Sequence, residues 1–461
     1  MCDESDEPPR DSRSRTGGDG VTVENVLLVT VDSLRYDATG PAETLESLGT
    51  SGEWFEHAYA TGPGTTPSFP AMLTGTLPLS HGGLGPLADD RPRVAEQLRS
   101  AGLRTGGFQC NPFLSTHFAY DEGFDEFEDY QNPLMGIATR IFPRGIELNN
   151  PKLERLDELL GLTDGIKWAY QAVAGKPRPY VSAEVVTDDT LRFLESTEER
   201  FFCWTHYMDV HHPCHPPESY RERFGVGDVT QTEVSKWYSA LLREPEMLSD
   251  DELDAMERLY DAAIAYTDDQ LGRIVDLLRR QGRFEDTLVV VTSDHGELFG
   301  DHGGYGKPER LYDELLRVPL VVCNGPPALS EATDDLVSLL DLPPLFYDAL
   351  GFDVPAVYTG RRPGVDDPRE CVQAEHEVEG DVVVGARSRE WRYTVDEIEG
   401  ERRLVDLSTG ERVDPDERPD AGRLVREVVE RRLSELDVGA AYLQSDVDGD
   451  VEGRLEELGY L

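Results

Sequence analysis

The chain of 461 residues carries 44 basic and 91 acidic side chains, so its formal net charge is −47. A surface of this sign repels phosphate backbones and acidic lipid headgroups, which argues against nucleic acid and membrane surfaces as partners. The sequence contains no run of about 18 apolar residues, so we predict no membrane span. Only five of the basic residues are lysines, a bias that favours a protein from a salt-rich cytosol over one that is merely acidic.

Residues 1–22 form a polar stretch rich in Gly, Ser, Arg and Asp, which we interpret as a disordered arm. This stretch has no apolar segment of the kind found in secretory signals. Six cysteines are spread along the chain without a paired spacing, so we predict free thiols. Together these features predict a cytoplasmic protein.

Two predicted strands end in metal-ligand residues. Residues 25–31 are an apolar run followed directly by Asp32, and a later run, 287–291, leads into Asp294 and His295. Open α/β sheets bind ligands at the carboxyl ends of their strands, and carboxylate and imidazole groups both bind metals. Each acidic residue alone is typical of a turn or a helix cap. The pair, with the histidine, predicts a site for a divalent ion such as Ca²⁺, Mg²⁺, Mn²⁺ or Zn²⁺.

Between these two strands the pattern alternates between helices and strands, which is typical of an α/β fold. We predict a helix that begins near Thr65, a strand over 105–109 and a helix over 182–196. An aromatic strand over 201–208 and a long amphipathic helix over 251–281 follow.

The predicted organisation is one large α/β domain, residues 23–355, followed by a smaller α+β part, residues 369–461, with a small sheet and a terminal helix. We interpret the irregular residues 130–178 as an inserted cap segment. A helix is predicted over 334–350, and clustered Pro, Gly and Asp residues at 355–368 mark the boundary.

An ordered set of motifs resembles the sulfatase family of the alkaline phosphatase superfamily over roughly residues 24–325. A segment that begins at Thr65 is similar to the signature Cys/Ser-x-Pro-Ser-Arg-x-x-Leu-x-Thr-Gly, and four of its defined positions are kept. The four kept positions are Pro67, Ser68, Thr74 and Gly75. The further segments that resemble the family are Leu77-Pro78-x-x-His81-Gly82, Asp209-x-His211-x-Pro213, Thr292 to Gly296 with His302 and Lys307, Arg317-Val318-Pro319 and residues 455–460.

This resemblance implies an alkaline-phosphatase-like fold, in which helices flank a central, mostly parallel sheet. It implies that Thr65 occupies the nucleophile position, that His211 contacts the ester group or leaving oxygen, and that Lys307 contacts the substrate. Ser33 and His302 are additional candidates for the site. The alternative interpretation of Thr65 is a helix N-cap.

The chain departs from the family pattern at positions that handle sulfate. Threonine cannot yield the formylglycine that sulfatases make from Cys or Ser, so none is expected. Phe69 stands at the signature Arg, and residues 109–112 replace a Gly-Lys-Trp-His run. We predict a metal-dependent hydrolase of small-molecule or glycan sulfate or phosphate esters, with Thr65 as nucleophile. The alternatives are a phosphodiesterase, phosphatase or phosphoryl-group transferase of the same superfamily, and a catalytically silent metal-binding homologue.

The net charge of −47 gives the first testable prediction. Raising KCl from about 0.1 M to about 3 M should increase the melting temperature steeply, because salt shortens the range over which like charges repel. Differential scanning calorimetry across this range measures the effect, with sucrose at equal osmolality as the uncharged control. A melting temperature that stays flat with KCl would contradict the prediction.

Overall fold

A computed structural model describes residues 23–80, 84–88, 90–130, 180–378, 380–415 and 417–436. The predicted arm, nearly all of the predicted cap segment, His81 and the residues after 436 lie outside these ranges. The described residues contain strands that are numbered here in chain order. They are β1 (Asn25–Val31), β2 (Glu53–Trp54), β3 (Ala58–Tyr59), β4 (Arg104–Phe108), β5 (Glu126–Glu128), β6 (Phe201–Tyr207), β7 (Thr287–Ser293), β8 (Leu298–Phe299), β9 (Tyr305–Gly306), β10 (Leu320–Cys323), β11 (Val337–Ser338), β12 (Val372–Val378), β13 (Asp381–Arg387), β14 (Trp391–Asp396), β15 (Glu401–Asp406) and β16 (Glu411–Val413).

The central sheet has the strand order β2-β10-β7-β1-β6-β4-β5. Strands β7, β1, β6, β4 and β5 run parallel, whereas β10 is antiparallel to β7, and the edge strand β2 is antiparallel to β10. Every residue of β1, β6 and β7 is buried, as expected for parallel strands covered on both faces. This arrangement confirms the predicted α/β class with a mostly parallel sheet.

Helices cover the two faces of the sheet. Alternate residues of β1 belong to different cores: Leu27 and Val29 pack with the helices of one face, and Val26 and Leu28 with those of the other. The helices of the described residues are α1 (Glu43–Ser51), α2 (Thr65–Thr74), α3 (Val94–Ser100), α4 (Ala183–Ser196), α5 (Glu218–Arg223), α6 (Gln231–Arg243), α7 (Asp250–Gln281), α8 (Asp313–Leu316), α9 (Leu342–Ala349) and α10 (Arg423–Glu435). None of these described helices combines the length and apolar composition that crossing a membrane requires.

Strong end signals fix the long helix α7. Its N-cap Ser249 and the residue Glu252 form a capping box, and each side chain bonds to the backbone of the other. At the other end Gly282 adopts φ +67°, the left-handed conformation that favours glycine. The predicted bounds of 251–281 therefore agree with the structure to within one residue.

The prediction of a helix over 334–350 is wrong for the first half of that range. Val337 and Ser338 instead form β11, which pairs with β3, and the α-helix begins only at Leu342. Pro343 and Pro344 explain the difference, because proline lacks the N–H that a helix interior requires but is tolerated in the first turn.

The C-terminal region forms an antiparallel five-stranded sheet in the order β12-β13-β14-β15-β16, with α10 packed on one face. Glu375 on β12 links this sheet to the rest of the protein. Its carboxylate accepts hydrogen bonds from Arg432 of α10 at 2.7 and 2.9 Å and from the backbone N–H of Leu79 at 2.6 Å. Its own N–H bonds to the carbonyl oxygen of Thr61 at 2.8 Å. The predicted domain boundaries stay predictions.

The buried pair of Glu375 and Arg432 gives the second prediction. Arg432→Met should lower the free energy of unfolding by about 3 kcal/mol, because it leaves the carboxylate of Glu375 buried without its cation. Arg402→Met is the matched control, since the ion pair of Arg402 with Glu430 is exposed and should change stability by less than about 1 kcal/mol. Chemical denaturation measures both, and equal losses would contradict the prediction.

Candidate active site

The register of the central sheet brings the two predicted acidic sites together. Val31, the last residue of β1, is paired with Ser293, the last residue of β7, so Asp32 and Asp294 leave adjacent strands at the same level. Both carboxylates and the imidazole of His295 are completely buried, and their ligand atoms all lie within 4.8 Å of one another. The convergence that the sequence predicted is therefore present in the fold.

The turn after β7 is held by its own polar atoms. The hydroxyl of Ser293 can donate its proton either to the carbonyl oxygen of Val31 at 2.7 Å or to that of His295 at 2.6 Å. Its oxygen accepts a hydrogen bond from the N–H of Leu34 at 3.0 Å. Gly296 lies where a Cβ atom would sit 2.0 Å from the carbonyl oxygen of Glu314. Only glycine fits at this position, which fixes the path of the chain behind the site.

Thr65 lies at the centre of this cluster. Its hydroxyl oxygen Oγ1 is 3.0 Å from Oδ2 of Asp294, 3.2 Å from Oδ2 of Asp32 and 3.4 Å from Nε2 of His295. The residue is the first of α2, and Gly64 is the N-cap with no side-chain cap bond. The N-cap interpretation of Thr65 is therefore wrong, and its hydroxyl is directed at the acidic cluster instead.

The two carboxylates have opposite ionisation tendencies. Burial raises the pKa of Asp294 well above its ordinary range, and the neighbouring charge of Asp32 raises it further. Burial also opposes ionisation of Asp32, but the charge of Lys307 and a hydrogen-bonding interaction with His206 help to hold its pKa well below the ordinary range. Two adjacent buried carboxylates repel each other, so their simultaneous ionisation requires a neighbouring cation.

The donor set of the cluster fits a divalent ion. Nδ1 of His295 lies 2.7 Å from the carbonyl oxygen of Gly296, which can only accept, so Nδ1 carries the proton. The lone pair of Nε2 then faces Oδ2 of Asp294 at 3.4 Å and Oδ1 of Asp32 at 3.7 Å. Acceptors that face one another in this way are stabilised by a cation between them, and a carbonyl oxygen behind a ligating imidazole is the usual arrangement.

Lys307 and Ser33 adjoin the cluster, as the sequence predicted. Nζ of Lys307 lies 3.4 Å from Oγ of Ser33 and 4.0 Å from Oδ1 of Asp32. The hydroxyl of Ser33 bonds to Oδ1 of Asp32 at 2.7 Å, and its N–H bonds to Oδ1 of Asp294 at 3.2 Å. Ser33 has φ +62°, a strained conformation that turns the chain toward both carboxylates.

His211 is buried next to the same charges. Its Nδ1 lies 2.5 Å from the carbonyl oxygen of His212, so this nitrogen carries the proton. Burial, reinforced by Lys307, lowers the pKa of His211 to about 3, so its imidazole is neutral near pH 7. The structure thus brings together Asp32, Ser33, Thr65, Asp294, His295, Lys307 and His211.

His302 makes its described contacts elsewhere. Its Nε2 lies 2.9 Å from Oε2 of Glu314, its ring stacks on Tyr312 at 4.1 Å, and 40% of its side chain is exposed. No described contact joins His302 to the acidic cluster, and its role in the site stays a prediction.

Asn111 is a site residue that the sequence analysis did not single out. It is completely buried, and its amide Nδ2 donates to Oδ2 of Asp32 at 3.0 Å and lies 3.5 Å from Oγ1 of Thr65. Its Oδ1 accepts from the N–H of Phe113 at 3.0 Å, which fixes the amide orientation. A weaker signal was available, because Asn111 comes three residues after the end of β4, whereas Asp32 follows β1 directly.

His212 is enclosed by aromatic rings beside the site. Its ring stacks on Tyr238 at 5.2 Å and Tyr260 at 5.9 Å and meets Phe299 edge-on at 5.4 Å. Both of its ring nitrogens are buried and have no hydrogen-bond partner among the residues that the structure describes. Burial, reinforced by Lys307, lowers the pKa of His212 to about 3.

This burial gives the third prediction. Because the unfolded chain protonates His212 near pH 6.5 and the folded chain does not, stability contributed by the neutral ring is lost as pH falls from 6.5 toward 3. Replacing His212→Phe keeps the aromatic packing and removes this loss. Between about pH 7.5 and about pH 5 the wild type should lose about 2 kcal/mol more than the variant. Urea unfolding at both pH values measures this, and parallel pH profiles would contradict it.

Comparison with known proteins agrees with the fold. The family model described as Sulfatase matches residues 24–352. The chain is 25% identical to the "Uncharacterized sulfatase YidJ" of Escherichia coli (strain K12), over 75% of this chain and 71% of that protein. It is 24% identical to the choline-sulfatase of Rhizobium meliloti (strain 1021), over 83% of this chain and 80% of that protein.

A solved structure shares the fold over nearly the whole chain. The phosphonate monoester hydrolase SpPMH from Silicibacter pomeroyi superposes with a TM-score of 0.66 at 20% identity, covering 92% of this chain and 98% of that one. This likeness shows the same alkaline-phosphatase-like architecture, as predicted. The family match covers most of the chain, and the chain belongs to the sulfatase family of the alkaline phosphatase superfamily, a family of hydrolases that act on sulfate or phosphate esters.

Proposed function

We propose that the protein is a metal-dependent ester hydrolase in which the hydroxyl of Thr65 is the nucleophile. One observation carries the proposal: Oγ1 of Thr65 lies 3.0 Å from Asp294 and 3.2 Å from Asp32, inside a completely buried cluster. The start of α2 adds backbone N–H groups that favour an anionic substrate at this position. Because the nucleophile is a threonine, the proposal requires no formylglycine.

Asp32, Asp294 and His295 would hold the divalent ion. When bound, such an ion neutralises ester oxygens and favours the ionised form of a neighbouring hydroxyl. Two carboxylates suit Ca²⁺, Mg²⁺ or Mn²⁺, and the imidazole shifts the preference toward Mn²⁺ or Zn²⁺.

In the proposed reaction, Oγ1 of Thr65 attacks the phosphorus or sulfur atom and the bond to the leaving alcohol oxygen breaks. The proton of the Thr65 hydroxyl is lost during the attack and ends on the departing oxygen, which leaves as the alcohol. The transferred group is then an ester of Thr65, and attack by water releases it and restores the hydroxyl. Lys307 lies beside the cluster and stabilises the negative charge of the ester oxygens.

The charge of the site favours a monoanionic ester. In the described part of the chain, the ion pairs of Asp32 and Asp294 are with His206, His295 and Lys307, and only the last is a permanent cation. Phe69, at the position of the family's arginine, is completely buried and contributes no charge. Sulfate esters, phosphodiesters and phosphonate monoesters all carry one negative charge, whereas a phosphate monoester carries about two.

Thr65 gives the fourth prediction. Thr65→Ser should keep measurable activity, because the hydroxyl remains, whereas Thr65→Ala and Thr65→Val should lower kcat by roughly 10³-fold or more. Thr66→Ala is the matched control on the next residue and should retain near-normal kcat. Mass spectrometry of a trapped adduct should place it on the peptide that contains Thr65. Near-normal rates in Thr65→Ala, or a loss confined to Thr66→Ala, would contradict the proposal.

A substrate screen separates the remaining alternatives. Aryl sulfate, phosphate monoester, phosphodiester and phosphonate ester are compared in high salt, with metal content measured on the same samples. Phe69 and residues 109–112 replace residues that handle sulfate in the family pattern, so we expect higher kcat/KM for the diester or phosphonate than for the sulfate. A preference for sulfate would favour a sulfatase. Bound metal without turnover of any ester would favour the catalytically silent homologue.

The remaining expectations about the protein's setting stay predictions. These are a small-molecule or glycan ester as substrate, the absence of nucleic acid as a partner, a cytoplasmic location and a salt-rich cytosol. The charge of −47 supports the last of them.

A further inference from the structure

A chain of buried polar groups leads from the core of the sheet to Asp32. Nε1 of Trp204 donates to Oγ1 of Thr30 at 3.0 Å, and this hydroxyl lies 2.9 Å from Nδ1 of His206. Nε2 of His206, on the other side of the ring, lies 3.5 Å from Oδ2 of Asp32. All four side chains are completely buried.

The donors and acceptors of this chain fix the proton on the His206 ring. The indole N–H of Trp204 can only donate, so the Thr30 oxygen accepts from it. The single hydroxyl proton of Thr30 then has two acceptors, Nδ1 of His206 at 2.9 Å and the carbonyl oxygen of Thr205 at 3.4 Å. A proton on Nδ1 would leave the lone pair of Nε2 facing Oδ2 of Asp32 at 3.5 Å, whereas acceptance of the Thr30 proton by Nδ1 leaves an Nε2 proton facing that oxygen, so the geometry favours the ring proton on Nε2.

Nε2 of His206 has no hydrogen-bond partner of normal length among the described residues. Asp32 at 3.5 Å is the acceptor toward which its proton points, at a distance that is long for a hydrogen bond. The edge of Phe69 packs against the His206 ring, with centroids 4.9 Å apart at an interplanar angle of 84°. Phe69, which stands at the position of the arginine in the family signature, therefore packs against the His206 ring.

We propose that His206 is a positioning residue: its Nδ1 accepts from Thr30, and its Nε2 proton faces and orients the Asp32 carboxylate for its ion. This inference rests on the proposed function of Asp32 as a metal ligand. Oδ2 of Asp32 already receives the amide of Asn111 at 3.0 Å. A second N–H donor directed at the same oxygen restricts rotation of the carboxylate, and outer contacts of this kind orient metal ligands.

Thr30→Val tests the proposal, because it removes the hydroxyl that sets the tautomer and keeps the shape of the side chain. We expect the affinity for Mn²⁺, measured by calorimetric titration of the metal-free protein, to fall by roughly tenfold or more. Thr205→Val is the matched control: its hydroxyl is equally buried, on the strand next to β1, and bonds to Thr190 at 2.9 Å instead. It should leave the Mn²⁺ affinity unchanged. Equal affinities of the two variants would overturn the proposal.

Nitrogen-15 NMR of histidine-labelled protein tests the tautomer without any turnover. The His206 signals, assigned as those absent from His206→Gln, should show the proton on Nε2 in the wild type and a shift toward Nδ1 in Thr30→Val. A wild-type ring protonated on Nδ1 or on both nitrogens would overturn the proposal. His206→Gln, which keeps an N–H donor, should retain more Mn²⁺ affinity than His206→Leu, and equal losses would also overturn it.

Asp32→Asn separates this inference from the proposed function. Unchanged Mn²⁺ affinity in that variant would overturn the metal role of Asp32, and with it the consequence drawn for His206. Weakened affinity in Asp32→Asn and Thr30→Val, with wild-type affinity in Thr205→Val, would support both proposals.

Discussion

The site depends on two carboxylates being held side by side where water is excluded. Burying an unpaired charge is costly, and two adjacent like charges are costlier still. The central sheet makes this arrangement unavoidable, because β1 and β7 are adjacent, parallel and in a register that ends them at the same level. The surrounding residues follow from this constraint: Thr65, Ser33 and Asn111 all direct donors at the carboxylate of Asp32, and the lone pair of His295 faces the carboxylate of Asp294.

The central residues of this site could be predicted from the sequence because apolar runs show where strands end. Asp32 follows β1 directly, Asp294 and His295 follow β7, and a parallel sheet places the ends of neighbouring strands side by side. Thr65 was predicted from a motif, because a local helical pattern does not show in which direction a hydroxyl of the first turn points. The contacts confirm its placement in the cluster, whereas its catalytic role and that of Lys307 stay proposals.

His206 and the start of α9 show what a local pattern cannot supply. His206 lies inside a strand, and its contact with Thr30 exists only because β6 pairs with β1 in the register that sets residue 206 opposite residue 30. A single chain does not reveal which of two strand faces meets a given neighbour until the register is known. Near 340 the apolar pattern was compatible with helix, but a two-residue pairing of β11 with β3 and two consecutive prolines decided otherwise.

The contacts of Glu375 have a consequence for the order in which the molecule is completed. This residue bonds to Thr61 before α2 and to Leu79 after it, so both flanks of the helix that begins with Thr65 are tied to a strand made some 300 residues later. The partner of Glu375, Arg432, is made later still. During synthesis, β1 can pair with β6 and β7 before these contacts exist. The ion pair of Arg432 with Glu375 can form only after residue 432 has left the ribosome. The strands that carry Asp32 and Asp294 are therefore made well before the ion pair that supports the flanks of α2 can form.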